Sequence, residues 1–126
     1  RLIQAMTDVK ESINSYTMTR ESIALGAASL ADEEYFQEKK QMVVATRERT
    51  KEELRRRGFE VLDSSANFLF AKPNSVDAGW LFEELKKEKI FVRHFNGERI
   101  KDYLRISIGT DQQMDCLLQA IDRIMA

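Results

Sequence analysis

The stretch DYLRISIGT, residues 102–110, decides the predicted fold of this chain of 126 residues. Within it, three aliphatic residues alternate with aromatic or polar ones, and neighbouring side chains on a strand project to opposite faces. The pattern therefore predicts a strand with one apolar face and one face that carries Arg105. Gly109 ends this strand, and Thr110 and Gln113 have the spacing of a capping box that opens a final helix.

The rest of the chain shows the same change between helical and strand periodicity. Polar residues that cap helices precede four helical patterns, and β-branched and aromatic residues mark the strands. The elements predicted are helices over residues 2–13, after Thr19, from Asp32 to a stop at Gly58, after Asp77 and after Thr110, and strands over residues 59–62, 66–71, 90–95 and 103–108. This order predicts a two-layer α/β (α+β) sandwich, in which a four-strand sheet packs against helices.

Composition narrows the possible partners. The length suits one domain, residues 1–126. The 20 Lys plus Arg against 21 Asp plus Glu leave a net charge of -1, which argues against nucleic acid as a partner.

No apolar run reaches the roughly 20 residues that cross a bilayer, and no targeting segment is visible, so we expect a cytoplasmic protein. Cys116 is the only cysteine, which excludes an internal disulfide, and its helical context predicts a partly buried thiol.

Four polar residues on the predicted strands are candidates for chemistry. Arg105 lies mid-strand, where a long cation needs a pocket or a carboxylate, and both remain open. Arg93 has a comparable place, and the residues alone favour an ion pair with a surface carboxylate; if the strands are neighbours, both guanidinium groups could bind one anion. Asn67 needs a backbone or ligand partner for its amide. His94 has no second histidine beside it, so we expect an ordinary polar contact and no metal site.

Several segments together resemble the C-terminal part of histidinol-phosphate aminotransferases. The order and spacing of the segments match as well, and the resemblance extends over nearly the entire chain, including the Asn14-Ser15-Tyr16 stretch. The most specific segment is the strand that ends in LRISIGT. The segments are DEEYF at 32–36, GFEVL at 58–62, ANFLF at 66–70, VRHF at 92–95 and DYLRISIGT at 102–110.

The resemblance implies transfer of an amino group between histidinol phosphate and 2-oxoglutarate through pyridoxal phosphate, in a homodimer of fold type I. Arg105 matches the family arginine that binds the anionic end of the substrate, and Arg93 matches a second arginine that binds phosphate. Asn67 and Tyr16 are further substrate-binding candidates by position, and the match of Asn14 is too loose for a role. Residues 1–30 would include the helical connection from a large domain.

The resemblance also implies what this chain lacks. The Schiff-base lysine, the aspartate at the pyridinium nitrogen and the residues around the cofactor phosphate belong to the family's large domain, which we expect upstream of Arg1. We therefore predict that this chain alone binds no pyridoxal phosphate and is inactive, while the parent protein is the enzyme. Two alternatives stay open: the small domain of a related phospho-amino-acid decarboxylase or aromatic aminotransferase, and a non-catalytic dimerisation or binding module.

Overall fold

The secondary structure alternates between helices and short strands in the predicted order. The computed structural model describes residues 1–14 and 16–126, with the backbone alone at residues 13 and 14. The helices are α1 Leu2–Asn14, α2 Arg20–Ala31, α3 Glu33–Arg56, α4 Ala78–Lys87 and α5 Asp111–Met125, and the strands are β1 Phe59–Val61, β2 Phe68–Pro73, β3 Arg93–His94 and β4 Leu104–Ser107.

The helix ends lie where capping chemistry predicts them. Thr19 accepts a hydrogen bond from the Ser22 amide and caps α2, and Asp77 accepts one from the Trp80 amide and caps α4. At the start of α5 the capping box is complete, because the Thr110 and Gln113 side chains each bind the other's backbone amide. These side chains satisfy amide groups that the first turn of a helix leaves without partners.

The end of α3 depends on a glycine. Gly58 has a φ of +81°, in the left-handed region where residues with a Cβ are strained. Its amide donates to the Arg55 carbonyl at 3.0 Å, and its carbonyl accepts a hydrogen bond from the Asn74 amide at 3.2 Å. Gly58 therefore ends the helix and turns the chain into β1.

The four strands form one antiparallel sheet in the order β1-β2-β4-β3. β1, β3 and β4 are shorter than predicted. β2 starts later than predicted, at Phe68, and continues further, through Pro73. Asn67 therefore precedes β2 instead of lying within it. β3 has two residues and is an edge strand that pairs with β4 alone.

The core lies between the sheet and the helices within residues 38–126. On the sheet side, Leu69 and Ala71 of β2 and Leu104 and Ile106 of β4 are buried. They form one cluster with buried residues from all three helices of this unit: Leu54, Ala78, Leu81, Leu85, Leu117, Leu118, Ala120 and Ile121. The helices thus cover one face of the sheet, which confirms the predicted two-layer arrangement.

Ion pairs join α3 to α5 at two places. Arg57, just after α3, holds Asp122 through Nε–Oδ1 at 2.7 Å and Nη2–Oδ2 at 2.9 Å. Closer to the start of α5, the Arg49 Nη1 contacts Asp115 Oδ1 at 2.6 Å, and the Thr46 hydroxyl donates to Asp111 Oδ1 at 2.9 Å. The paired geometry of Arg57 orients α5 along α3 in addition to the apolar packing.

The chain divides into two units, Arg1–Gln37 and Glu38–Ala126. The first consists of α1, α2 and the start of α3, and its apolar side chains at Leu2, Ile3, Met6 and Leu30 are exposed.

In the described residues, the helices are either too short or too polar to cross a membrane. The predicted partial burial of Cys116 is wrong, because α5 directs this thiol to the surface.

Candidate functional site: a cationic sheet face

The candidate site is the face of the sheet opposite the helices of residues 38–126. Alternation along each strand sends to this face the residues that lie between the core positions. We call it the cationic face, because it carries two arginines among aromatic side chains. Its residues are Glu60 of β1, Phe68, Phe70 and Lys72 of β2, Arg93 of β3 with the adjacent Phe95, and Tyr103, Arg105 and Ser107 at β4.

Arg105 projects from the middle of this face. Its neighbours in β4, Leu104 and Ile106, are 0% and 1% exposed on the helix side, so alternation requires the guanidinium to lie on the other side. The Cζ atom lies 5.4 Å from the centre of the Phe68 ring. The Nε atom is enclosed and has no hydrogen-bond partner. The two terminal nitrogens are therefore the donors that an incoming ligand could use.

Arg93 lies directly opposite Arg105 in the β3–β4 register. Its Cζ atom is 5.0 Å from the ring centre of Phe95, two residues along the chain. Among the residues that the structure describes, neither arginine forms an ion pair with a carboxylate, so the surface pair favoured for Arg93 by sequence is not found. The condition set by the sequence, that the two strands be neighbours, is met because β3 pairs with β4, and the binding of one anion by both guanidinium groups stays a prediction.

Like charges directly opposite each other on neighbouring strands repel, because their Cβ atoms lie only about 5 Å apart. A repulsion of this kind is relieved by an anion that binds both groups. A guanidinium presents its N–H donors in a plane that matches the two oxygens of a carboxylate or phosphate. The arrangement of Arg93 and Arg105 is therefore suited to a ligand with two or more negatively charged oxygens.

Aromatic rings complete the cationic face on the β2 side. Phe70 lies opposite Arg105 in register, but its ring stacks on Tyr103 at a centroid distance of 5.1 Å and an interplanar angle of 7°. The Tyr103 hydroxyl donates to Glu60 Oε1 at 3.0 Å, and this hydrogen bond raises the pKa of the phenol. Tyr103 therefore stays protonated at neutral pH and holds the one carboxylate of this face, Glu60, on β1.

The other predicted site residues are not on the strands of the cationic face. Asn67 is exposed just before β2, and its carbonyl accepts a hydrogen bond from the Ile108 amide at 2.8 Å. Tyr16 belongs to the unit Arg1–Gln37, where its side chain is 89% exposed. The side chain of Asn14 lies outside the described residues. The structure does not bring Asn67 into contact with the two arginines, and the substrate-binding roles of Asn67 and Tyr16 stay predictions.

His94 makes the ordinary polar contact predicted for it. Its Nε2 lies 2.6 Å from the Lys101 carbonyl oxygen, and its ring packs 5.9 Å from that of Phe82. No group of metal-ligating side chains occurs in the part of the chain that the structure describes. A cleft of about 540 Å³ lies beside β4 and α5, but neither arginine lines it. Its lining is mainly apolar, with Lys89 as a cationic side chain.

The phenylalanines beneath the arginines were not identified from sequence. Phe95 could have been found, because it lies two residues after Arg93 and two residues span the same face of a strand. Phe68 could not, because its contact with Arg105 depends on the pairing of β2 with β4. The hydrogen bond between Tyr103 and Glu60 could not be predicted from sequence either, because the two residues are 43 positions apart.

Comparison with known proteins agrees with this geometry. The family model of class I and II aminotransferases matches residues 1–121. The chain belongs to this family.

Individual members of the aminotransferase family give a more detailed likeness. The chain is 46% identical over 124 residues to a histidinol-phosphate aminotransferase of Aromatoleum aromaticum, covering 98% of the chain and 35% of that protein. It is 42% identical over 123 residues to the same-named protein of Chromohalobacter salexigens, covering 98% of the chain and 35% of that protein. The chain thus spans about a third of the length of these curated relatives.

A solved structure supports the fold. The chain superimposes with a TM-score of 0.76 and 27% identity on a histidinol-phosphate aminotransferase from Sinorhizobium meliloti in complex with pyridoxal-5'-phosphate. The match covers 94% of this chain and 34% of that protein. The helices and the four-strand sheet therefore follow the architecture of an aminotransferase domain, as the sequence predicts.

Proposed function

We propose that this chain is the C-terminal substrate-binding domain of an aminotransferase that transfers an amino group between histidinol phosphate and 2-oxoglutarate. The observation that carries the proposal is the pairing of Arg93 with Arg105, neither of which forms an ion pair with a carboxylate among the described residues. The names of the relatives supply the substrate, and the two guanidinium groups supply a physical reason for it. The activity itself belongs to a longer protein of which this chain would be the small domain.

The two arginines fit the shared chemistry of the proposed substrates. Arg105 would bind the phosphate ester of histidinol phosphate in one half-reaction and a carboxylate of glutamate or 2-oxoglutarate in the other. Both groups present oxygen atoms that the terminal nitrogens of a guanidinium can bind in pairs. Arg93 would assist with the phosphate, which carries up to two negative charges and so benefits most from a second cation.

The residues of this chain do not fit the cofactor's reactive end. Pyridoxal phosphate supplies the electron sink that amino transfer requires, and it needs a lysine with a lowered pKa. Lys39, Lys51, Lys86 and Lys87 instead form ion pairs with neighbouring glutamates. We therefore assign to this chain substrate binding and orientation, and no step of the chemistry at the cofactor.

The partners follow from the same proposal. The rest of the protein would contain a large domain that holds the cofactor, and the full-length enzyme would be a homodimer in the cytoplasm. Substrate would bind between the cationic face and groups outside residues 1–126. The domain would then exclude water and orient the anionic end of the substrate, so that its amino group reaches the cofactor.

The test is steady-state kinetics of the full-length protein with histidinol phosphate and 2-oxoglutarate. We expect Arg105→Ala to lower kcat/KM by about 100-fold, because a charge-assisted pair of hydrogen bonds is lost. Arg105→Lys is the matched control: it keeps the charge but loses the planar fork, so we expect an intermediate loss.

Unchanged kinetics for Arg105→Ala would contradict the proposed role of this residue. Aromatic amino acids and threonine phosphate serve as competing substrates in the same assay. Turnover of either without turnover of histidinol phosphate would reassign the protein to a related aminotransferase or decarboxylase. No turnover of any of them would favour the non-catalytic module.

A further inference from the structure

The two arginines of the cationic face contact aromatic rings, in place of the carboxylates that arginines usually pair with. The Cζ atoms of Arg105 and Arg93 lie 5.4 Å and 5.0 Å from the ring centres of Phe68 and Phe95. Both distances fall within the roughly 6 Å at which a cation is attracted to the face of a ring. Each guanidinium is thus held by a group that carries no net charge.

The register explains why Phe68, and not Phe70, contacts Arg105. Phe70 lies directly opposite Arg105, and Phe68 lies opposite Ser107. The Phe70 ring is occupied by its stack on Tyr103. The Arg105 side chain therefore extends diagonally across the sheet to Phe68, a distance that long side chains can span.

We propose that Phe68 is a positioning residue for Arg105, an inference that rests on the proposed function of the cationic face. The Phe68 ring fixes the guanidinium by attraction to its charge and leaves that charge unneutralised. A carboxylate in the same place would hold the group equally well, but it would compete with the substrate anion. The Nε of Arg105 is enclosed, so the two terminal nitrogens are the donors that would bind the ligand.

A purely structural role for Phe68 makes a different prediction. Phe68 is half-buried, so its removal could weaken the domain through lost apolar contact alone. Such an effect would lower the Tm and would not depend on Arg105. A positioning role acts only through the guanidinium, so its effect on anion binding must disappear once Arg105 is removed.

The experiment uses the full-length holoenzyme and measures two quantities: the KM for histidinol phosphate, and the inhibition constant of inorganic phosphate. The variants are Phe68→Leu, Phe68→Met, Phe68→Tyr, Arg105→Ala and the double variant Phe68→Leu/Arg105→Ala. We expect Phe68→Leu and Phe68→Met to raise both quantities by about 5-fold, the effect of losing one cation–π contact. We expect kcat to change less than 2-fold, and Phe68→Tyr, which keeps a ring, to behave as wild type.

Phe82→Leu is the matched control, because Phe82 is a partly buried aromatic residue on α4 that packs on the core away from the cationic face. It is expected to lower the Tm without changing either constant. In the Arg105→Ala background, Phe68→Leu is expected to have no further effect on phosphate inhibition.

The outcomes separate this inference from the proposed function. If Arg105→Ala weakens phosphate inhibition and Phe68→Leu does not, Phe68 is not a positioning residue, and the proposed anion site stands. The same conclusion follows if the Phe68→Leu effect persists in the double variant. If Arg105→Ala itself leaves both constants unchanged, the proposed anion site and the role of Phe68 both fail.

Discussion

Arg105 and Arg93 show how much of a side chain's role depends on its neighbours across the sheet. Alternation along β4 is sufficient to predict that Arg105 lies on the face opposite the core, and the burial of Leu104 and Ile106 agrees. For Arg93 the sequence favours a surface ion pair, because exposed arginines commonly form such pairs. The β3–β4 register instead places it opposite Arg105. Its role in binding phosphate stays a prediction.

That prediction can be tested by charge removal. In the full-length protein, we expect Arg93→Ala to raise the KM for histidinol phosphate by about 10-fold, since one charge-assisted contact to the phosphate is lost. The KM for glutamate should rise less, because a carboxylate has half the charge of a phosphate dianion.

The control for Arg93→Ala is Arg56→Ala. Arg56 is an exposed arginine of α3, far from the sheet face in its own ion pair with Glu53. Arg56→Ala removes the same unit of positive charge as Arg93→Ala, but we expect it to leave the KM for histidinol phosphate and the KM for glutamate unchanged. Equal effects of Arg93→Ala on the two substrates would contradict a phosphate-specific role.

At the scale of elements, the helix ends follow local rules and the links between helices do not. The caps at Thr19, Asp77 and Thr110 were predictable, because a cap is a contact between residues three positions apart. The pair between Arg57 and Asp122 joins residues 65 positions apart. It depends on the packing of α5 against α3, which no local pattern encodes.

This pair makes stability depend on pH. The hydrogen bond from Arg57 lowers the pKa of Asp122 below its ordinary value of 3.8. A carboxyl whose pKa is lowered by folding stabilises the folded state above its unfolded pKa, and this contribution is lost as the pH falls through the folded pKa. We therefore expect Asp122→Asn to lower the Tm at neutral pH and the difference from wild type to shrink below about pH 4.

The measurement is thermal unfolding of both proteins between neutral and acidic pH. High salt should reduce the difference as well, because Asp122 is half-exposed and its charge is screened. Asp102→Asn removes an exposed carboxylate that forms no ion pair with the described residues, so it controls for the loss of charge. A Tm difference for Asp122→Asn that is constant with pH would show that the ion pair does not contribute.

At the scale of the whole molecule, the unit of residues 38–126 has its apolar core on one face of its sheet and the cationic face on the other. All buried residues of the apolar cluster belong to residues 38–126. The chain spans about a third of its relatives, so most of the protein that we propose lies beyond it. This division predicts that binding groups and cofactor-holding groups are on different parts of the protein.

The position of the cofactor lysine tests that division. Borohydride reduction of the full-length holoprotein, followed by peptide mass spectrometry, should place the modified lysine outside residues 1–126. The lysines of this chain should remain unmodified, because the proposal places the Schiff-base lysine in the large domain. A modified lysine within this chain would show that the division is wrong.

The sequence by itself determined the order of elements, the caps, the stop at Gly58 and the face of β4 that carries Arg105. These features depend on residues within a few positions of each other, and their chemistry is local. The tertiary structure alone decided the true start of β2, the pairing of Arg93 with Arg105 and the ring beneath each guanidinium. These features depend on strand register, which joins residues far apart in the chain. A one-residue shift of that register would send every side chain of the strand to the other face.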